Sequence, residues 1–503
     1  MGSFYGLEIA KTGLFISQNQ LQVTAHNISN ADTRGYTRQR LITSSIEPAG
    51  SISRFYGIKG QTGGGVESQI LDQIRNSYVD HEIRRENAAL GQWDVRTQEL
   101  NFIETMMNET SDGSITDTLS QFFSSLQELT KDPVSKEIRT SLQQNALKLT
   151  QTFNHYYTQL SDMQNNMNDM MRTTAEQIND LARNIADINQ QIYSYELGGE
   201  KANDLRDKRG VLLDDLSQLV NIDYSENTQG QLIVTIEGET LVSHTSYHKI
   251  EATRNVTTGM YAINWAATTD PVTGDPVPAS PLVYSSGKLE AYRQLRDGNT
   301  KDDIGIPYII DNLNYLARRI AQDVNTIHET GYTMPYGTDP ATQSHNGVDF
   351  FAIPTGGYTA LTAGNFNLSA AVLSNVNNIA ASDSLIDLSA TNNQSNNNKI
   401  ALQLAGLEGD IDTADGFNCE SYIKSLVVEI AIESSHCSQM YDGQKVLSDN
   451  LESRRQSISG VSIDEEMTNM IKYQHSYSAA ARMITAIDDL LDTLINKTGT
   501  VGR

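Results

Sequence analysis

The chain has 503 residues, enough for roughly two to four structural units, and a 38% hydrophobic fraction with 7% aromatics and 10 prolines suggests a largely helical protein of thin, elongated units. Acidic residues outnumber basic ones 62 to 37, and the resulting net charge of -25 repels phosphate backbones, which argues against nucleic acid as a partner. No stretch reaches the roughly 18 consecutive apolar residues of a membrane span, so none is expected; the densest run, Leu426 to Ile432, is interrupted by Glu429.

The first predicted helix repeats Leu7, Ala10, Leu14, Ser17, Leu21, Thr24 and Ile28 at three- and four-residue steps, a stripe weakened by Ser17 and Thr24. The stretch from Met1 to Gln20 lacks the basic and apolar regions of a cleavable secretion signal, so any export route must read something else. The segment from Asn30 to Tyr36, with Asp32 and Gly35, ends this helix. Residues 41 to 75 read as extended and glycine-rich, with helix resuming near Arg75. Gly60, Gly63, Gly64 and Gly65 mark a hairpin turn, because the Lys-Ser/Thr pair of a phosphate-binding loop is missing and Val66-Glu67 follow.

The strongest period runs from Phe153 through Tyr157, Leu160, Gln164, Met167, Met171, Thr174, Ile178, Leu181, Ile185, Ile188, Ile192 and Tyr195, broken only by Gln164 and Thr174. A helix over this span is about 63 Å long at 1.5 Å per residue, so this part of the molecule should be a rod. Between Asn221 and Ser286 the period changes to two: Leu232, Val234 and Ile236 alternate with Gln231, Ile233, Thr235 and Glu237, and Gly238 marks a turn. Helix is expected again from Leu289 to about His328. Gly331 to Ser384 is turn-rich with short apolar runs, and Asn392 to Asn398 reads as a polar loop.

A second seam visits Ile423, Leu426, Ile430, Glu433, Cys437, Met440, Gln444, Leu447, Leu451, Arg454 and Ile458. The only cysteines, Cys419 and Cys437, are then about 27 Å apart on one helix, beyond disulfide reach, and are expected as free, buried thiols. The last seam, Met470, Tyr473, Tyr477, Ala480, Ile484, Ile487, Leu491 and Leu494, is apolar or aromatic throughout, and Ser462 with Glu465 supplies a capping box at its start. Tyr473 and Tyr477 can pack their rings while keeping their hydroxyls near water, which suits an interface that is exposed before assembly and buried after it.

The predicted fold is mainly α with a β-rich inserted domain, elongated and nested from the ends inward, with the terminal helices paired as a coiled coil. Residues 1–40 and 460–503 form the two halves of the terminal coiled-coil domain. Residues 41–220, 287–330 and 393–459 form a helical rod, 221–286 the β-rich insertion and 331–392 a turn-rich insertion.

No catalytic, cofactor or metal site is expected. His244 and His248, four apart, lie in the β-rich segment, where that spacing spans about 13 Å. His328-Glu329 begins like a zinc-protease motif, but Tyr332 occupies the position of the second histidine. The carboxylates show no acid–base spacing and read mostly as solvated helix faces.

Two stretches carry a resemblance. HNISNADTRGYTRQR, His26 to Arg40, resembles the amino-terminal signature of bacterial flagellar rod and hook axial proteins, with Asn27, Asn30, Thr33, Gly35, Tyr36, Arg38 and Gln39 as its motif positions. GVSIDEEMTNMIKYQHSYSAAARMITAIDDLLDTLIN, Gly460 to Asn496, resembles the matching carboxyl-terminal signature, through Asp464, Glu465, Glu466, Tyr473, Gln474 and Tyr477. Within that superfamily the Tyr36-Thr37-Arg38-Gln39 run, the long internal seams and the length are similar to the first hook-associated proteins, which join hook to filament.

The resemblance implies a non-enzymatic subunit without cofactor, exported by the flagellar type III apparatus and escorted by a chaperone at its carboxyl-terminal region. It also implies assembly into a ring, outside the cell, between the hook protein and the next junction protein. The expected assembly interface comprises Leu7, Leu14, Leu21 and Ile28 with Met470, Tyr473, Tyr477, Ala480, Ile484, Ile487, Leu491 and Leu494. Each terminal stripe lacks a partner within its own helix, so the ends should be only marginally ordered in the monomer. Another axial component, whether hook, distal rod or filament-type, is the alternative of the same class. A cell-wall enzyme would need paired carboxylates in a cleft, and a coiled-coil adhesin would need a secretion signal.

Overall fold

The computed structural model describes residues 2–46, 63–107, 113–227, 230–269, 276–336, 343–388, 394–408 and 418–497. The amino-terminal helix α1 (Gly2–Ser29) is followed by an antiparallel hairpin, β1 (Gln39–Ile46) and β2 (Gly65–Gln73), which packs on it. The turn expected at Gly60 lies outside the described residues, while Gly64 N donates to Ile46 O at 2.9 Å and closes the hairpin.

Three helices then build the rod: α2 (Ser77–Met107), α3 (Ile115–Lys131) and α4 (Lys136–Glu196). Helix α4 starts at Ser135, whose hydroxyl accepts from Ile138 N, and its 61 residues make it about 90 Å long. It extends the expected seam by nearly five turns at its amino end. Of the seam positions, Phe153, Leu160, Met167, Met171, Thr174, Ile178, Ile185 and Ile192 are buried; Tyr157, Gln164, Leu181 and Ile188 are half-buried, and Tyr195 is exposed near the end of the helix.

Helix α5 (Asn203–Leu219) folds back along α4 and leads into the β-rich segment. Strands β3 (Asp223–Glu226), β4 (Leu232–Ile236), β5 (Glu239–Ser243) and β6 (Ser246–Tyr247) form one antiparallel sheet in chain order. In β4 the expected alternation appears as buried Leu232, Val234 and Ile236. A second sheet takes β7 (Ile250–Arg254) and β8 (Tyr261–Trp265); after the short pair β9 (Thr268–Thr269) and β10 (Pro276–Val277), β11 (Ser280–Pro281) completes it on the other edge of β8. His244 sits in the turn after β5 with φ 55°, and His248 stacks on Trp265, so they do not share a ligand site.

The single helix expected from Leu289 to His328 is two: α6 (Lys288–Asp297) and α7 (Ile306–His328), separated by the small hairpin β12 (Asn299–Thr300) and β13 (Asp303–Ile304). Backbone crowding explains the break. A Cβ at Gly298 would lie 2.6 Å from Gln294 O and 2.7 Å from Asp303 O, so only glycine lets the chain double back there.

The turn-rich segment contains the short helix α8 (Ala370–Ser374), and helix α9 (Lys399–Gly406) follows it. Lacking regular ladders, this segment is held by buried polar side chains. Asn325 Oδ1 accepts from Phe350 N and Phe351 N at 2.9 and 2.8 Å, and Arg139 donates to Ile379 O at 2.5 Å. His328 donates through Nδ1 to Val348 O at 2.6 Å and accepts at Nε2 from Ala380 N at 2.8 Å. Of the polar loop from Asn392 to Asn398, residues 392–393 lie outside the described residues.

Two long helices close the chain: α10 (Cys419–Ser459) and α11 (Ile463–Asp492). The seam on α10 is buried at Ile423, Leu426, Ile430 and Cys437 and then opens, with Met440 and Leu447 exposed; α2 packs along this helix. Both cysteines are free and buried.

Two apolar cores lie along α4. One gathers α2, α3, the first half of α4, α7, α9 and α10 around Phe122, Phe153, Phe350 and Phe366. The other joins the second half of α4 to α5 and the sheets around Trp265. The α1–α11 pair stands beside the α5 end of this rod, and the turn-rich segment covers the other end, where Arg139 lies. No helix among the described residues is long and apolar enough to cross a membrane.

Candidate assembly interface

The two terminal helices run antiparallel against each other. Asn27 meets Glu466, and Gly6 meets Ile487, so the two contacts are 21 positions apart on each helix, as an in-register antiparallel pair requires. Burial along this pair is shallow. Leu7, Leu14, Leu21 and Ile28 are half-buried, as are Met470, Tyr473, Ala480, Ile484, Ile487 and Leu491, whereas Tyr477 is 38% and Leu494 57% exposed. Among the described side chains of α1, the fully covered positions are Ala10, Ile16, Ser17, Thr24 and Asn27. Small and polar members that weaken the stripe by composition are thus its deepest part, because short side chains let a neighbouring backbone approach.

Helix α11 has a single fully buried residue among those described, and it is Glu466. Its carboxylate is the hub of the motif. Glu466 Oε2 accepts from Asn27 Nδ2 at 3.1 Å, and Glu466 Oε1 accepts from Arg38 Nε at 2.9 Å and Nη2 at 2.7 Å. Asn27 Oδ1 in turn accepts from the Tyr36 hydroxyl at 2.8 Å and from Gln39 N at 3.0 Å, and Asn27 Nδ2 also donates to Gln39 O at 2.9 Å. Arg38 Nη1 reaches Glu465 Oε2 at 2.7 Å, while Arg38 N donates to Ser459 O at 2.9 Å. Arg38 therefore pins the α10–α11 corner onto the start of β1.

The other motif positions act locally or lie outside. Asn30 Nδ2 donates to His26 O, Thr33 Oγ1 to Asn30 Oδ1, and the Asp464 carbonyl accepts from Thr468 Oγ1. Gln474 is exposed on α11. Gly35 has φ 78°, and a Cβ there would lie 2.2 Å from Val211 Cγ2, so the turn needs glycine both for its conformation and for its closeness to α5.

Helix α5 is the seat of the terminal domain. Asp204, Asp207, Val211 and Asp214 lie on one face at helical spacing. Asp207 accepts from Thr37 N at 2.9 Å and Gln73 Nε2 at 2.8 Å, and Asp204 accepts from Gln39 Nε2 at 2.8 Å. Asp214 takes Arg84 at 2.8 Å and Arg455 at 2.7 Å, and neighbouring Asp215 takes Arg34 at 2.6 Å. These carboxylates correct the reading of solvated helix faces, since Asp207, Asp214 and Glu466 are all buried. The 3-4-3 spacing of Asp204, Asp207, Val211 and Asp214 was the available signal, but spacing alone does not say which face is covered.

Burial pushes the Asp207 carboxyl up to about 6 against the opposing Thr37 hydrogen bond. Burial alone would raise Asp214 too, yet Arg84 and Arg455 hold it below the ordinary carboxylate range. Burial also raises the Tyr36 phenol, helped by Asp204, Asp207 and Glu466, so Tyr36 stays a hydrogen-bond donor. A cleft of about 840 Å³ opens between residues 31–38, α5 and the end of α10, but Arg34, Arg38 and Arg455 on its walls are already paired with carboxylates. This is a domain junction held by polar contacts.

Comparison with known proteins bears on the same regions. The family model described as flagellar hook-associated protein FlgK helical domain matches residues 100–351, that of the flagella basal body rod protein 7–37, and that of the flagellar basal body rod FlgEFG protein C-terminal 452–497. Flagellar hook-associated protein 1 of Bacillus subtilis (strain 168) is 30% identical over 526 residues, covering 100% of this chain and 99% of the relative. Those of Salmonella typhimurium and Escherichia coli (strain K12) are 23% and 22% identical, each covering 97% of this chain and 98% of the relative. The solved flagellar hook junction protein FlgK from Burkholderia pseudomallei shares the fold, with a TM-score of 0.59 at 15% identity over 75% of this chain and 100% of that one. With a full-length relative at this identity and a helical-domain match over half its residues, the chain belongs to the flagellar hook-associated protein 1 family.

Proposed function

We propose that this chain is the non-enzymatic subunit that joins hook to filament, and that its terminal helix pair is the polymerising device. The observation that carries this reading is the state of α11. Although α11 pairs along its length with α1, it leaves Ile463, Met467, Ile471, Met483 and Leu490 exposed, as is Leu494 just past its end, and buries none of its hydrophobic side chains fully. A run of large exposed apolar groups on both flanks of one helix favours further association, and neighbouring subunits in a ring supply it.

On this reading the hook protein contacts the ring on one side and the next hook-filament junction protein on the other. The chain leaves the cytoplasm through the type III export apparatus without a cleaved signal peptide, and an export chaperone covers its carboxyl-terminal region until then. The polar seat on α5 suits this role, since a terminal domain held by hydrogen bonds and ion pairs can adjust its angle between unlike neighbours.

Deleting the gene and imaging the flagella tests the proposal. Bare hooks, with filament protein lost to the medium, are the expected result, restored by the wild-type chain. Normal filaments in the deletion strain would refute the junction role.

A further inference from the structure

On α10, Glu433, His436 and Cys437 occupy positions i, i+3 and i+4, so their side chains leave one side of the helix. Their donor atoms all lie within 4.8 Å of one another. Cys437 Sγ is 3.5 Å from Glu433 Oε1, and His436 Nδ1 is 3.7 Å from Glu433 Oε2. A tetrahedral ion with bonds of about 2.0–2.3 Å holds its ligands about 3.3–3.8 Å apart. These two contacts end on different oxygens of the Glu433 carboxylate, so each matches one such edge and Cys437 and His436 flank the carboxylate from its two sides.

The neighbouring helix α2 supplies the surroundings. Arg96 Nη2 holds Glu433 Oε1 at 2.7 Å, which fixes the rotation of this carboxylate, as an outer partner of a metal-ligating carboxylate does. Arg96 is only 7% exposed, and its Nε is buried without a hydrogen-bond partner. Trp93 stands edge-on to the His436 ring at 5.9 Å and restrains it, while the ring itself remains open to solvent. Without an ion, burial pushes the Cys437 thiol up to about 12 and leaves it protonated.

We propose that Glu433, His436 and Cys437 bind one zinc-class divalent ion, with the fourth position open to solvent beside His436. The mixed sulfur, nitrogen and oxygen donors select Zn²⁺ over Mg²⁺ or Ca²⁺. Binding breaks the S–H bond of Cys437, sends its proton to solvent and forms a thiolate–metal bond, with no change of oxidation state. The charge of Arg96 weakens the site relative to a four-ligand structural one. Through Glu433 and Arg96 the ion ties α10 to α2 just where the α10 seam passes from buried to exposed.

Titrating the reduced full-length chain with Co²⁺ tests this. One equivalent should bind, give a thiolate-to-cobalt charge-transfer band with intense tetrahedral visible bands, release a proton and be displaced by Zn²⁺. Cys437→Ser should abolish the charge-transfer band. Cys419→Ser, about 27 Å away on the same helix, should leave it intact. Because Cys437 is buried, His436→Ala at its exposed position serves as the variant that keeps the fold, checked by its helicity, and it should weaken binding at least tenfold. Absence of a thiolate band at saturating Co²⁺, or a band unchanged in His436→Ala, would overturn the assignment.

Discussion

Asn27 and Glu466 stand 439 positions apart in the chain and 3.1 Å apart in space, and their contact closes the two ends of the protein onto each other. Around it Arg38, Tyr36 and Gln39 complete a buried polar network that lies at the foot of an otherwise half-open helix pair. Glu466→Ala strips the Arg38 guanidinium and the Asn27 amide of their shared acceptor. Removing one member of a buried charge pair costs about 3 kcal/mol. Amide exchange in α1 and α11 should accelerate by about a hundredfold, while α4, whose two cores lie elsewhere, keeps its protection. Unchanged exchange in α11 would show that the network does not hold the terminal pair.

Ile484 and Ile487 are only half-buried in the single chain. Changing both to Asp should therefore leave the melting of the rod unaltered while the protein fails to support filaments on hooks. Filament growth at the wild-type level would rule out these helices as the polymerising surface.

Shallow burial also sets the order of proteolysis. In the purified monomer, residues 1–40 and 460–503 should be trimmed before any cut in α4, followed by mass spectrometry of the products. Ends that survive as long as the rod would contradict a terminal domain awaiting neighbours.

His328 gives the rod a pH dependence of definite sign. Burial lowers its pKa to about 4, and its Nε2 accepts from Ala380 N, a bond that protonation destroys. Above about pH 6.5 both folded and unfolded chains hold a neutral ring. As pH falls from there to about 4, only the unfolded chain takes up the proton, and stability drops by about 3 kcal/mol. Urea unfolding of the wild type and of His328→Gln at pH 7 and 4.5 should show that this component of acid sensitivity disappears with the imidazole. Equal pH slopes in the two proteins would remove His328 from the account.

Gly35→Ala forces a Cβ against Val211 at a φ of 78°. The strain and overlap should cost about 1–3 kcal/mol, read as weaker protection of the Thr37 and Gln39 amides. Adding Val211→Ala should recover the steric part only; full recovery would mean that the backbone conformation carries no cost.

Much of this architecture is legible in periodicity. The four-three spacing from Phe153 to Ile192 determines a long helix with one apolar stripe, and the alternation at Leu232, Val234 and Ile236 determines a strand covered on one face. Both are local properties, set by the angle between successive side chains. The break between α6 and α7 escaped such a reading, because the apolar positions on either side keep a helical rhythm and the decisive crowding at Gly298 involves Asp303 O, beyond the turn.

By itself the sequence determined the helices, the β insertion, the free thiols and the apolar stripes at both ends. Only the tertiary structure decided what the charges do. Asp207, Asp214, Glu466 and Arg139 resemble any solvated polar residue in a list of side chains, and become structural only when another segment excludes water from them and offers a hydrogen bond in its place. Burial of a charge is a property of the packed whole, since desolvation depends on every surrounding element, whereas a helical stripe is written within a few consecutive turns.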